Sequence, residues 1–288
     1  MQQLKHIIKK VSKKAFGYQD PRVAAQRAYL YFRKRIYTQK YSTQQLLDFI
    51  ESLDIGSGDT IMMQSSWSEF YNFEGRAVEM LDGIIEIVGP SGNICMPCNS
   101  DYNDGDTFDV RKTPTIAGLL PEYFRRQKGV KRSIHYNSSV CALGPGADEI
   151  ISDHNRSNTS WDEYSPYYKL WKMNAKNLNL GLGKLFICVT AIHCVDSILR
   201  KEIPFYKNLF GEPHTYNWLD ENGEVGTQTV LKRERGIINF RRINRQITDI
   251  PHYSGRLSNL EGFSVSLQPL LERVLLLGRK GITIYNPY

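Results

Sequence analysis

Histidine, tryptophan and cysteine are scarce in this chain, with six, four and five copies in 288 residues. The cysteines, at 95, 98, 141, 188 and 194, are odd in number and so cannot all pair within the chain. That argues against a disulfide-stapled scaffold and points to a reducing, cytoplasmic setting. No stretch approaches the roughly 18 apolar residues needed to span a bilayer, and the lysine-bearing start lacks the apolar centre of a secretory signal. Internal repeats and low-complexity linkers are absent as well. What remains, 41% apolar and 23% charged residues, suits a folded chain with a substantial core.

The positive charge is confined to one end. Residues 1–40 carry eleven Lys or Arg against the single acid Asp20, so they hold +10 of the net +7, and the other 248 residues hold −3. A nucleic-acid groove needs its charge on the folded surface, so nucleic acid is not an expected partner. Leu4, Ile7, Ile8, Val11 and Ala15 recur at helical spacing among lysines, and a second helix is expected over Val23–Tyr37. This predicts a basic helical arm over residues 1–40. Two roles stay open for it: contact with an anionic membrane through residues 1–17, giving a membrane-peripheral protein, or docking on the body or on a second subunit of a homo-oligomer.

From residue 41 to 288 a single α/β domain is expected. Ser42 or Thr43 caps a helix running to Ser52, and strand Thr60–Met63 follows. A helix over 76–88 closed by Gly89-Pro90-Ser91-Gly92 leads to strand Asn93–Met96. Further helices are expected over 116–126, 147–153, 193–203 and 267–277, with strands near 139–143 and within 177–189. Alternating strands and helices predict three layers, a central mixed sheet flanked by helices. The polar stretch 97–115 is too long for a plain connection. Residues 205–265 carry no motif.

Several segments, taken in order, resemble the aminoglycoside 3-N-acetyltransferase family from Thr43 to about Asp196. They are Gly58-Asp59-Thr60-Ile61-Met62-Met63-Gln64-Ser65-Ser66, Gly89-Pro90-Ser91-Gly92-Asn93, Thr113-Pro114-Thr115, Arg132-Ser133-Ile134-His135, Ser139 through Pro145, and Thr190-Ala191-Ile192-His193-Cys194-Val195-Asp196. Three positions depart from the family pattern. Gln64 stands where relatives have His, Tyr136 follows His135 in place of Pro, and Asp196 replaces Glu. The resemblance implies an enzyme that moves an acetyl group from acetyl-CoA to a sugar amine, without metal.

Acylating an amine requires removal of a proton from an ammonium near neutral pH, which suits histidine. The resemblance implies His193 as that base, with Asp196 three residues on to orient it; a core or capping histidine is the alternative. It also places Ser65, Ser66, Thr115, Arg132, Ser133, His135 and Ser139 along the donor site, although turn serines and a structural arginine would read the same way. Tyr102, Asp104, Asp109 and Trp161 are expected to meet the acceptor; solvated turn acids and buried aromatics are the plain alternatives. Cys95-Met96-Pro97-Cys98 lacks a second ligand pair for zinc and reads as two ordinary cysteines, and Gly181-Leu182-Gly183-Lys184 reads as a turn. The expected acceptor is an amino sugar, nucleotide-linked and destined for a surface polysaccharide. An aminoglycoside antibiotic is the alternative, and a non-catalytic glycan- or membrane-binding relative is a third reading.

Overall fold

The computed structural model describes residues 30–285 apart from 102–104, 184–185, 235 and 240. Residues 1–17 of the basic arm therefore lie outside the described residues, as do Tyr102 and Asp104. The end of the arm is helical over 30–36 and touches the body. Arg33 pairs with Glu69 at 2.5 Å and donates to the Asn259 carbonyl at 2.7 Å.

The strands are β1 (Thr60–Ser65), β2 (Asn93–Pro97), β3 (Thr107–Asp109), β4 (Lys131–Arg132), β5 (Val140–Leu143), β6 (Lys176–Leu180), β7 (Phe210–Leu219), β8 (Val225–Arg233), β9 (His252–Leu257) and β10 (Leu260–Ser266). Seven of them form a mixed sheet in the order β4-β5-β2-β1-β6-β10-β9. Its centre, β2-β1-β6, is parallel, and both flanks are antiparallel. The three central strands therefore end together, at Pro97, Ser65 and Leu180.

The helices are α1 (Thr43–Glu51), α2 (Ala77–Val88), α3 (Leu119–Phe124), α4 (Ala147–Ile151), α5 (Pro166–Lys172), α6 (His193–Leu199), α7 (Pro204–Lys207), α8 (Arg241–Ile247) and α9 (Leu267–Arg279). Period-two alternation sorts the sheet's side chains between two cores. Ile61, Met63, Ile94 and Met96 pack with Leu46, Ile50, Met80 and Ile84 of α1 and α2. Met62 and Cys95 pack on the other face with Leu170, Val195, Leu271 and Val274 of α5, α6 and α9. The three layers expected from the sequence are present. Ser42 is the α1 cap: its Oγ accepts from Gln45 N–H while Gln45 Oε1 accepts from Ser42 N–H at 2.9 Å. No helix among the described residues is long and apolar enough to cross a membrane.

Some boundaries differ from expectation for local reasons. The helix expected from 116 begins at Leu119, because Thr115 Oγ1 donates to the Asn99 carbonyl (2.7 Å) and accepts from Ala117 N–H (3.1 Å), holding a turn. The helix expected to 203 stops at Leu199, and Pro204 starts the short α7. The motif-free stretch 205–265 supplies the β7–β8 hairpin, which joins β3 in a second, three-stranded sheet, and the β9–β10 pair that completes the large one.

Candidate active site

The central parallel strands direct their carboxyl ends toward one region, the usual place for a ligand crevice in an open α/β sheet. Gln64 is the penultimate residue of β1 and shares a face with Met62, so its side chain points into the layer that holds α6. There its Nε2 donates to Thr190 Oγ1 (2.7 Å) and its Oε1 accepts from Thr190 N–H (3.2 Å). That pair of bonds pins the 3-10 turn Thr190–Ile192, which runs directly into α6. His193 and Asp196 then lie on one face of the first turn, with His193 Nδ1 at 2.8 Å from Asp196 Oδ2. Asp196 is buried, and the His193 side chain keeps 14% of its surface exposed.

A second side chain reaches the same carboxylate. The Tyr285 hydroxyl donates to Asp196 Oδ2 and lies 3.4 Å from His193 Nδ1. Burial first, and the Asp196 charge second, push the tyrosine's pKa up, so it stays a protonated donor. Trp161 covers the imidazole, ring centroids 4.9 Å apart and planes 46° apart. Its loop is fixed to α6 through Thr159 Oγ1 and Ser197 Oγ (2.7 Å). A carboxylate that only accepts assigns the proton to Nδ1 and leaves Nε2 as the ring's acceptor. An imidazole so oriented can act as a general base.

Of the expected donor residues, Ser65 and Ser66 lie half-buried at the end of β1, beside Gln64. Ser66 Oγ shares a hydrogen bond with Ser68 Oγ (3.1 Å). Thr115 is half-buried in the turn before α3. Arg132, Ser133, His135 and Ser139 have a different place: all four are buried and bonded to protein. Arg132 donates from Nε to Ser139 Oγ (3.0 Å), from one terminal nitrogen to the Thr113 carbonyl, and from the other to the Cys98 carbonyl and Ser100 Oγ (2.7 Å). Every nitrogen of that guanidinium already has a protein acceptor, at the residue that the sequence reading put along the donor site. Asp109 likewise closes a turn, accepting from the N–H groups of Arg111 and Lys112 at 2.9 Å each. The Cys95 and Cys98 thiols are free and buried, and burial raises the Cys95 pKa to about 12.

His135 stacks on His154 at 4.5 Å between centroids, and His154 Nδ1 meets Ser133 Oγ at 2.9 Å. Burial lowers the His135 pKa to about 3 and pushes His154 well down too. Both are neutral in the native state, whereas the unfolded chain binds protons there below about pH 6.5. Their contribution to stability is therefore complete above about pH 6.5 and is lost as the pH falls, for His135 down to about 3. Calorimetry between pH 7 and 5 is expected to show a falling Tm with proton uptake on unfolding, and both weaken in His135→Gln.

Residues 62–275 match the family model for aminoglycoside 3-N-acetyltransferase. The chain belongs to that family. It is 26% identical over 184 residues to aminoglycoside N(3)-acetyltransferase VIII of Streptomyces fradiae, covering 56% of this chain and 61% of that one. It is 27% identical over 158 residues to aminoglycoside N(3)-acetyltransferase VII of Streptomyces paromomycinus, covering 46% and 52%. The chain thus spans between half and two thirds of the length of these curated relatives. The solved structure of aminoglycoside acetyltransferase AAC(3)-Xa superposes with a TM-score of 0.72 at 18% identity, over 89% of this chain and 99% of that one. AAC-IIIb, solved as a binary complex with CoASH, superposes at 0.71 and 18% identity, over 86% and 100%. These two share the fold. Family membership brings the model's span to β10 and α9, well past Asp196, where the sequence resemblance ends.

Two residues of the site were not singled out from the sequence for a role. Gln64 was visible as a departure from the family pattern, and its register with Met62 could have placed it on the α6 side. Tyr285 carries no sequence signal, being 89 residues from Asp196 and outside every motif.

Proposed function

We propose that this protein transfers an acetyl group from acetyl-CoA to an amino group of an aminoglycoside-type amino sugar. The observation that carries the proposal is the His193 Nδ1–Asp196 Oδ2 pair at the carboxyl ends of the parallel strands. His193 Nε2 takes the proton of the acceptor's ammonium, Asp196 stabilises the resulting imidazolium, and the freed amine attacks directly. Acetyl-CoA supplies the activated carbonyl and a thiolate leaving group. Ser65, Ser66 and Thr115 offer the half-buried hydroxyls that suit its pantetheine arm, whereas the Arg132 loop is left out.

The acceptor reading changes from the sequence expectation. The relatives named above are aminoglycoside acetyltransferases, which favours a polycationic acceptor over a nucleotide-linked sugar. A concavity of about 320 Å³ supports the same reading. It holds the Asp101, Glu212 and Glu234 carboxylates beside Tyr136 and Asn137, with Lys232 on its lining. One lining residue, Asn137, reaches Ser160 Oγ through Nδ2 (3.4 Å), and Ser160 precedes Trp161 in the chain. Incubation with acetyl-CoA and matched panels of aminoglycosides and nucleotide amino sugars tests this by thiol release. Release with aminoglycosides is expected; release with nucleotide sugars alone would reverse the acceptor assignment.

Gln64→Ala removes both bonds that hold the turn before His193. Turnover is expected to fall roughly ten-fold through misplacement of the base, with KM for acetyl-CoA moving less than about two-fold. A steady-state comparison at saturating acceptor checks the split.

A further inference from the structure

Tyr285 sits at the end of a short strap whose seating is specific. Its N–H donates to Thr283 Oγ1 (3.2 Å), and it bridges antiparallel to Ile238. Asn239 N–H donates to the Ile284 carbonyl at 2.7 Å. The ring lies against bare backbone: Gly236 has φ +96°, and a Cβ there would meet Tyr285 Cδ1 at 2.8 Å. The Arg233 guanidinium carbon stands 5.7 Å from the ring centroid. His193, Asp196, Arg233 and Tyr206 are the titratable or charged groups facing the phenol.

The hydroxyl bonds the same Asp196 oxygen that pairs with His193 Nδ1. A carboxylate held from two directions cannot rotate away from the imidazole without losing a charge-assisted bond in a buried place. We propose that Tyr285 is the positioning residue of the base, and that the 283–285 strap couples the seating of the C-terminal segment to the orientation of His193. The inference rests on His193 being the base. Tyr285 reaches the dyad from 89 residues beyond Asp196 in the sequence.

The hydroxyl also draws part of the Asp196 charge away from His193. Removing it returns that charge to the imidazolium, which is then favoured over the neutral ring. Tyr285→Phe, which keeps the ring and its packing, is therefore expected to move the acidic limb of the kcat/KM profile upward in pH. It should also lower kcat roughly ten-fold near neutrality, the scale of one hydrogen bond to a charged group, with KM for acetyl-CoA little changed. The His193 ring can be titrated independently by NMR in the full-length protein without substrates, its signal assigned by loss in His193→Gln. An upward shift in Tyr285→Phe supports the proposal, and an unchanged titration and kcat overturn it. Should Tyr285→Phe not fold, Thr283→Val removes the acceptor of the Tyr285 N–H together with the Thr283 bond to Tyr206; a smaller upward shift is then expected, and none contradicts the proposal. An active His193→Gln enzyme would instead sink the base assignment itself, whatever Tyr285→Phe shows.

Discussion

Arg132→Ala is expected to destabilise the protein by about 3–5 kcal/mol while leaving the coenzyme A affinity of the folded molecules unchanged. Arg132 is 8% exposed, and its guanidinium fans out to acceptors on three separate segments: Cys98 and Ser100 beyond β2, Thr113 in the loop after β3, and Ser139 before β5. It also lies 4.8 Å from the Phe108 ring centroid, so it couples the small sheet to the large one. Truncation takes the arginine's donors from the Thr113 carbonyl and from Ser100 Oγ, leaves the Cys98 carbonyl with Ser139 Oγ alone, and opens a void beside Phe108. Burial lowers the arginine's own pKa, and the carbonyl and hydroxyl acceptors that surround it keep the charge tolerable. Denaturant melts give the stability change, and calorimetric titration with coenzyme A gives the affinity. A large loss of affinity at unchanged stability would return Arg132 to the donor site.

The sequence carried the three layers well because their signals are local. Alternation in Thr60–Met63 and Asn93–Met96 puts Ile61 and Ile94 on one face and Met62 and Cys95 on the other, and helix punctuation such as Ser42 and Gly89 is written into adjacent residues. The His193–Asp196 pair was legible for the same reason, since three residues on a helix fix their relative placement. Long-range partners were not. Nothing in residues 205–265 shows that β10 pairs with β6 across a gap in sequence of about 80 residues, because cross-strand partners share no local pattern. Tyr285 is invisible for that reason too. The Arg132 loop was ambiguous for a different one: a buried structural arginine and a donor-site arginine have the same residue type, and only the acceptors around the guanidinium distinguish them. Gln64 sits between these cases, noticed as a departure yet given its role only by the Thr190 contacts.

The proposed mechanism depends on His193. Its Nδ1 is engaged by Asp196, which is itself held by Tyr285, and Trp161 covers the ring, so Nε2 is the ring nitrogen left to accept a proton. His193→Gln keeps a side chain of similar reach but has no basic nitrogen. The decisive measurement is amine-dependent thiol release from acetyl-CoA in this variant against wild type, with coenzyme A affinity and Tm measured on the same samples. Turnover is expected to fall roughly 10²–10⁴-fold, the range for a lost general base, with coenzyme A affinity and Tm retained. Wild-type turnover in a folded His193→Gln protein would contradict the assignment of the base and the mechanism built on it.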